Sequence, residues 1–108
     1  MIKVTVFSDK QEIKGFEVCG HAGFSESGND IICAAVSVLA QNTANSIEEF
    51  THDDFETELD EDIGRLKLML TDNISSESQL LMKSFELGIN SIINDGNSNY
   101  IKIRYKEV

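Results

Sequence analysis

Two residues of this sequence, His21 and Cys33, have the types and the spacing that nucleophilic catalysis requires. A thiol becomes a strong nucleophile when a nearby base or a positive electrostatic field converts it to the thiolate. An imidazole titrates near neutral pH, so His21 can act as a general base or as the cation beside a thiolate. His21 lies between Gly20 and Gly23, whose backbones can approach a substrate closely and leave N–H groups to bind it. The sequence therefore predicts a cysteine nucleophile with a histidine partner.

The residues that follow Asn29 and Asp30 predict a helix of about 20 residues that begins close to Cys33. Its apolar face recurs every three or four residues, at Ile32, Val36, Leu39, Thr43, Ile47 and Phe50. Asn29 or Asp30 can cap this helix, which places Cys33 in the first turn. The unpaired N–H groups and the macrodipole at that end of a helix stabilise a thiolate.

Three side chains near this helix start have alternative roles that the sequence leaves open. Asp30 either caps the helix or supplies the carboxylate that orients His21. Ser37 lies one turn beyond Cys33 on the same helical face, where it either donates a hydrogen bond into the site or bonds to the carbonyl of Cys33. Cys33 itself has a simpler alternative, because a free cysteine often serves as a small core residue.

Alternating apolar residues predict two hairpins, one on each side of this helix in the sequence. Residues 2–8 and 12–20 form the first hairpin, and residues 55–59 and 65–71 form the second around an acidic turn at 60–64. In the second hairpin, one face is predicted to carry Phe55, Thr57 and Leu59 from the first strand and Leu66, Leu68 and Leu70 from the second.

Ser75 or Ser76 begins a second helix, because serine caps the free N–H groups of a first turn. Its buried stripe is predicted at Leu81, Phe85, Gly88, Ile89 and Ile92, flanked by Met82 and Ile93. Residues 94–97 stop this helix, and residues 100–106 alternate as a last strand. The order β-β-α-β-β-α-β predicts a single α+β domain over residues 1–108, with two helices packed on a mixed, mostly antiparallel sheet.

The sequence has 19 acidic and 9 basic residues, for a formal net charge of −10. This charge argues against nucleic acid as a direct partner, because phosphate binding depends on lysine and arginine. It either favours encounter with basic polypeptides or only keeps the protein soluble. The sequence shows no membrane-length apolar run and no secretion signal, so we expect a cytoplasmic protein whose cysteines, Cys19 and Cys33, are free thiols.

No metal site or other cofactor is predicted. Cys19, His21, Cys33 and His52 include ligand types for zinc, but their spacing is not one of the paired patterns of zinc sites. His52 follows the C-terminus of the first helix, where a cation is favoured, so a surface role accounts for this residue without catalysis. The acidic stretch at 53–62 lacks the alternating pattern of a calcium loop, so we expect a solvated turn there.

The segment GHAG, followed after a short loop by DIICAAVS, resembles the ribosomal-processing cysteine protease family known as Prp. The resemblance extends over the whole chain in length and in the order of elements. It implies that His21 and Cys33 are the catalytic dyad. It also implies supporting or substrate-binding roles for a set of neighbouring residues: Gly20, Ala22, Gly23, Asp30 and Ser37.

The resemblance also implies a substrate and a mechanism. The enzyme would remove the short N-terminal extension of a bacterial large-subunit ribosomal protein, number twenty-seven, by cutting after a hydrophobic sequence that contains phenylalanine. It would act as a homodimer through an acyl-enzyme on Cys33, with the glycine-rich loop closing over the substrate. Cys19 departs from the family pattern and leaves open an oxidised, inactive Cys19–Cys33 state. The alternative is a non-enzymatic, acidic protein that binds a ribosomal component and holds Cys33 in its core.

Overall fold

The described residues form five strands and two helices in the predicted order. The computed structural model describes residues 1–20 and 29–108, without the side chains of residues 29 and 30. The strands are β1 (Ile2–Asp9), β2 (Glu12–Cys19), β3 (Phe55–Asp60), β4 (Arg65–Leu70) and β5 (Ile101–Glu107). The helices are α1 (Asn29–Phe50) and α2 (Ser76–Ile92), and a turn at Ile93–Asn97 with non-helical backbone at Asp95 and Gly96 follows α2. The predicted order β-β-α-β-β-α-β is confirmed.

The strands form one mixed sheet in the order β3-β4-β2-β1-β5. β1 pairs in parallel with β5, whereas the other neighbouring pairs are antiparallel and include the two predicted hairpins. Both helices pack on the side of the sheet that carries Val4 and Phe16, called here the helix side. The opposite side, which carries Thr5 and Glu17, is called the open face. Two helices on a mixed, mostly antiparallel sheet are therefore confirmed.

The turn of the first hairpin is a tight one of two residues. Asp9 pairs with Glu12 across it, and the two residues between them, Lys10 and Gln11, have φ values of 51° and 76°. Positive φ at both central residues matches the twist of the flanking strands, as in a type I′ turn. The turn sets the register as far as Ser8, and an irregularity between Phe7 and Ser8 shifts the pairing by one residue for the rest of β1 and β2.

The core lies between the helices and the helix side of the sheet. At its centre, the rings of Phe16 from β2 and Phe85 from α2 stack with their centroids 4.2 Å apart. Such aromatic pairs bury large apolar areas and dominate the energetics of a core. On α2, Met82 and Ile89 are buried beside Phe85. The predicted stripe on α2 is thus correct in direction, but Met82 lies within it and not at its flank.

The predicted buried face of α1 is correct except at its end. Ile32, Val36 and Ile47 are buried, whereas Phe50 is 73% exposed, so the prediction for Phe50 is wrong. α1 has 22 residues and is about 33 Å long, but the eight residues of β1 span only about 27 Å. The last turn of α1 therefore extends beyond the sheet. Ala40, which the predicted stripe left out, is fully buried in the middle of the helix.

Asp53 was expected in a solvated acidic stretch, but it ties the end of α1 to the start of α2. Its Oδ2 accepts hydrogen bonds from the Ser75 N–H at 2.9 Å and from the Ser75 hydroxyl at 2.7 Å. Ser75 caps α2 by accepting from the Ser78 N–H at 3.2 Å, which confirms it as the cap among the two predicted serines. Hydrogen bonds from the Ser78 and Ser75 hydroxyls lower the pKa of Asp53, because they stabilise its carboxylate.

We predict that Asp53→Asn lowers the free energy of unfolding by about 1 kcal/mol at pH 7, because it removes the charge from these hydrogen bonds at a partly exposed site. The pKa of Asp53 is lower in the folded state than its unfolded value of about 4. Its contribution to stability is therefore fully present above that unfolded pKa and is lost as the pH falls through the folded pKa.

Urea unfolding of the wild type and Asp53→Asn, repeated as the pH is lowered from 7 to 2, measures this effect. The difference between the two proteins should narrow below about pH 4. Asp54→Asn is the control, since Asp54 is exposed and adjacent in sequence. Equal stabilities of wild type and Asp53→Asn at pH 7 would show that the link contributes nothing.

Candidate active site

Cys33 occupies the fifth position of α1, which begins at Asn29. The helix starts slightly earlier than predicted, so Cys33 lies at the beginning of the second turn, and Asp30 is already helical. The Cα–Cβ bonds of a helix tilt toward its N-terminus, so the Cβ of Cys33 leans toward the first turn, whose N–H groups lack partners within the helix. Cys33 is half-buried, because it packs against the core on one side and lines a groove on the other.

This groove runs between α1 and the second hairpin and encloses about 600 Å³. The residues that line it from α1 share one helical face: Cys33, Ser37, Ala40, Gln41, Ala44 and Asn45. Those that line it from the sheet belong to β2, β3 and β4, or adjoin their ends: Val18, Gly20, Leu59, Asp60, Glu61, Gly64, Arg65 and Leu66. Apolar walls with a few polar groups at fixed positions are the usual composition of a binding cleft.

Gly20 lies at the end of β2, where the chain turns toward His21. Its φ is +116°, in the region that favours glycine, and an added Cβ would come within 2.6 Å of the Met1 carbonyl oxygen. The Gly20 N–H donates to the Gly64 carbonyl at 3.3 Å. This N–H is therefore already engaged, contrary to the expectation that it remains free for a substrate. Gly20 acts in this site by allowing a turn that no larger residue permits.

Arg65 lines the groove at the start of β4, and its guanidinium engages two carboxylates on the open face of the sheet, Glu17 and Glu58. Its Nε donates to Glu17 Oε2 at 2.7 Å, and its Nη1 lies 3.5 Å from Glu58 Oε1. The hydrogen bond to Glu17 raises the pKa of Arg65, which keeps the guanidinium charged. Because the bonds to Glu17 and Glu58 span three neighbouring strands, Arg65 fixes the wall of the groove.

Three of the predicted site residues, Gly20, Cys33 and Ser37, line this one groove. Two groove residues that sequence reasoning missed, Gln41 and Asn45, continue the four-residue steps from Cys33 along α1. Helical periodicity could have identified them, since residues four apart lie on one face. The groove residues from the second hairpin had no such signal, because they come from elements distant in the sequence.

The remaining predicted site residues lie beyond what the structure describes. His21, Ala22 and Gly23 belong to residues 21–28, which lie outside the described residues, and so does the side chain of Asp30. The pairing of His21 with Cys33 and the choice between the two roles of Asp30 therefore stay predictions. His52 is exposed just after the end of α1, as a surface residue should be.

Cys19 lies on the other side of the sheet from the groove. Val18 faces the core on the helix side, and strand alternation places the next residue, Cys19, on the open face, where it pairs in register with Lys3. Both Cys19 and Cys33 are free thiols, as expected. A disulfide needs Cβ atoms that face each other at about 4 Å, and here the sheet lies between them.

No group of three or more histidine, cysteine or acidic side chains within residues 1–20 and 29–108 is arranged to hold a metal ion. The zinc set considered from the sequence is divided by the sheet, because Cys19 and Cys33 lie on opposite sides of it. Neither helix of the described part of the chain is long and apolar enough to cross a membrane.

Comparison with known proteins identifies the family. Residues 1–102 match the family model described as Cysteine protease Prp. The chain belongs to this family. The protein is therefore a cysteine protease, as the sequence resemblance implied. The non-enzymatic alternative required Cys33 to be enclosed in the core, whereas Cys33 lines an open groove.

Relatives of this Prp chain match it over almost its whole length. The Ribosomal processing cysteine protease Prp of Staphylococcus aureus is 27% identical over 105 residues, which cover 97% of each protein. The crystal structure of SMU.848 from Streptococcus mutans is 31% identical, has a TM-score of 0.89, and is matched over 100% of this chain and 96% of that one. The structure of the S. aureus Prp protease with a covalently linked product peptide is 27% identical, has a TM-score of 0.85, and is matched over 98% of this chain and 100% of that one.

We predict that the folded protein forms no Cys19–Cys33 disulfide, because the sheet separates the two thiols. The folded protein is treated with the thiol oxidant diamide, and its mass is compared with that of the same protein oxidised in urea. The protein in urea should lose two hydrogens as the thiols pair, whereas the folded monomer should not. A peptide that joins Cys19 to Cys33 in a digest of the folded, oxidised protein would contradict the prediction.

Proposed function

We propose that this protein is an endopeptidase in which Cys33 is the nucleophile and His21 is its acid–base partner. The observation that carries the proposal is the position of Cys33, a half-buried thiol near the start of a helix and on the wall of a cleft. The membership in the cysteine protease Prp family gives this thiol its chemistry. The role of His21 is inferred from the sequence motif.

In the proposed mechanism, the Cys33 thiolate attacks the scissile carbonyl carbon and forms a tetrahedral intermediate. The N–H groups of residues 29–32 have no acceptor within α1, and they supply donors that can stabilise the oxyanion. The C–N bond then breaks, and His21 gives its proton to the departing amine. Water then gives a proton to the neutral His21 and attacks the thioester, which releases the carboxylic acid product and returns Cys33 to the thiolate beside a protonated His21.

The proposed substrate is the short N-terminal extension of a bacterial large-subunit ribosomal protein, number twenty-seven, cut after a hydrophobic sequence that contains phenylalanine. The relatives support this substrate class, because the S. aureus protein is named a ribosomal processing protease and its structures contain substrate and product peptides. The apolar part of the groove's lining, which includes Val18, Leu59 and Leu66, suits a hydrophobic sequence. A product linked covalently to the relative also agrees with an acyl-enzyme.

The charge distribution favours the approach of a basic ribosomal polypeptide to the groove. Six basic side chains project from the open face, away from the helices: Lys3, Arg65, Lys67, Lys102, Arg104 and Lys106. The helix side of this acidic molecule, which carries the groove, therefore has few basic side chains. The acidic turn at 60–64 lies at the rim of the groove. Long-range attraction of this kind raises association rates.

We place the reaction in the cytoplasm and propose that the enzyme is a homodimer.

We predict that Cys33→Ser lowers cleavage of the ribosomal precursor by more than about a thousandfold, because a hydroxyl is a far weaker nucleophile at neutral pH. Purified protein is incubated with the precursor, and the products are identified by mass spectrometry. Cys19→Ser is the matched control and should retain activity, since Cys19 lies on the open face. The same defined cut at wild-type rate by Cys33→Ser would remove Cys33 from the nucleophile's role.

A second prediction concerns His21, whose replacement by alanine should lower kcat/KM by about a hundredfold or more, because general acid–base catalysis contributes at least that much. The loss should be accompanied by a changed pH–rate profile, since the imidazole no longer titrates in the working range. His52→Ala is the control, because His52 is the other histidine of the chain and is exposed. Equal effects of the two substitutions would argue against a dyad with His21.

A further inference from the structure

The groove continues well past Cys33 along the axis of α1. The residues that line it from the helix reach from Cys33 to Asn45, which is twelve positions along the chain. A helix rises about 1.5 Å per residue, so this stretch is about 18 Å long. An extended peptide advances about 3.3 Å per residue, so the groove is long enough for about five residues of a substrate.

The position of β3 fixes which part of the hairpin lies beside which part of α1. Only residues 51–54 join the end of α1 to the start of β3, so β3 must run back along the helix. Because β3 runs back toward the start of α1, its far end at Leu59 and the turn at 60–64 reach the part of the helix that lines the groove.

The groove is apolar beside Leu59. Leu59 pairs in register with Leu66 of β4, and both line the groove. Leu59 is 67% exposed, because neither helix covers this part of β3. On the opposite wall the small side chains of Ala40 and Ala44 leave room between helix and sheet, and Gln41 places an amide at the rim.

Building on the proposed function, we propose that the substrate lies extended along this groove and that Leu59 and Leu66 form a subsite for an apolar side chain within about five residues of the scissile bond. The occupant follows from continuity with Cys33: a peptide bound covalently through its carbonyl to this thiol has its next residues at the mouth of the same groove. The amides of Gln41 and Asn45 can both donate to and accept from a peptide backbone. The extended form exposes those backbone groups, and alternate side chains face the floor.

A double-mutant cycle between enzyme and peptide tests the subsite. Each of the five residues on either side of the cut is replaced by serine in turn, and kcat/KM is measured for the wild type and for Leu59→Ser. We expect one peptide position, among the five residues on one side of the cut, at which serine lowers kcat/KM of the wild type about tenfold. With Leu59→Ser the same replacement should cost little more, because the contact is already lost. At the other peptide positions, the loss of kcat/KM from serine in the peptide and the loss from Leu59→Ser should multiply, because the two changes then act independently.

Leu80→Ser is the matched control, because Leu80 lies on α2 away from the groove and is 68% exposed, as Leu59 is 67% exposed. It should leave kcat/KM unchanged for every peptide. Since both leucines are exposed, both variants should unfold at the temperature of the wild type. Wild-type kinetics in Leu59→Ser, or losses that multiply at every peptide position, would overturn the subsite.

Binding to Cys33→Ala separates this inference from the proposed function. The affinity of the parent peptide is measured by calorimetry for Cys33→Ala and for Cys33→Ala combined with Leu59→Ser. About tenfold weaker binding in the double variant supports the subsite even if no cut is observed, in which case the proposed function alone fails. Equal affinities together with normal cleavage by the wild type would retain the protease and eliminate the subsite.

Discussion

The structure depends on a mismatch in width between two layers. Two helices packed side by side cover about 20 Å, whereas five strands span about 24 Å. α1 and α2 approach each other closely, since an added Cβ on Gly88 would come within 3.0 Å of Leu39 Cδ1. The pair leaves the Leu59 end of β3 uncovered on the helix side, whereas Phe55 at the other end of β3 packs against the core. The groove beside Cys33 is this uncovered strip, so the cleft follows from the layer geometry and requires no separate element.

One long helix gives this cleft a rigid wall. α1 carries Cys33 close to one end, and its other end is fixed by local hydrogen bonds: the Thr51 hydroxyl donates to the Ile47 carbonyl, and the Asp53 N–H donates to the Thr51 hydroxyl. Asp53 then anchors Ser75 at the start of α2. Cys33, the proposed nucleophile, therefore lies on a helix whose C-terminal end is tied to the start of α2. Precise placement of a reactive group accounts for a large share of the rate that an enzyme achieves.

The sequence predicted those features that are repeated locally. The alternation of apolar and polar residues located the strands, and apolar residues at three- and four-residue steps located both helices. The preference of serine for helix N-termini located the cap of α2, which is Ser75. The errors share one cause, which is that a pattern identifies an apolar face but not what covers it. Phe50 and Leu59 both belong to the predicted apolar faces, yet Phe50 extends past the sheet and Leu59 past the helices. Asp53 looked like a solvated acid, because its partner lies 22 residues away. The motif around Cys33 indicated the cysteine protease family, which the family match confirms, whereas the position of the cleft depended on the topology of the sheet.

The charge and the groove contribute to recognition over different distances. Charges on a molecule of net charge −10 act over a Debye length of about 8 Å at physiological salt, so they influence the encounter with a basic polypeptide and weaken as salt rises. The Leu59 side chain acts only on contact and depends on the exclusion of water, which moderate salt does not weaken. Encounter by charge is shared by many basic ribosomal polypeptides, so it cannot select one of them. Under the proposed function, selection among basic partners therefore falls to the groove, where the proposed subsite at Leu59 and Leu66 would distinguish one extended sequence from another.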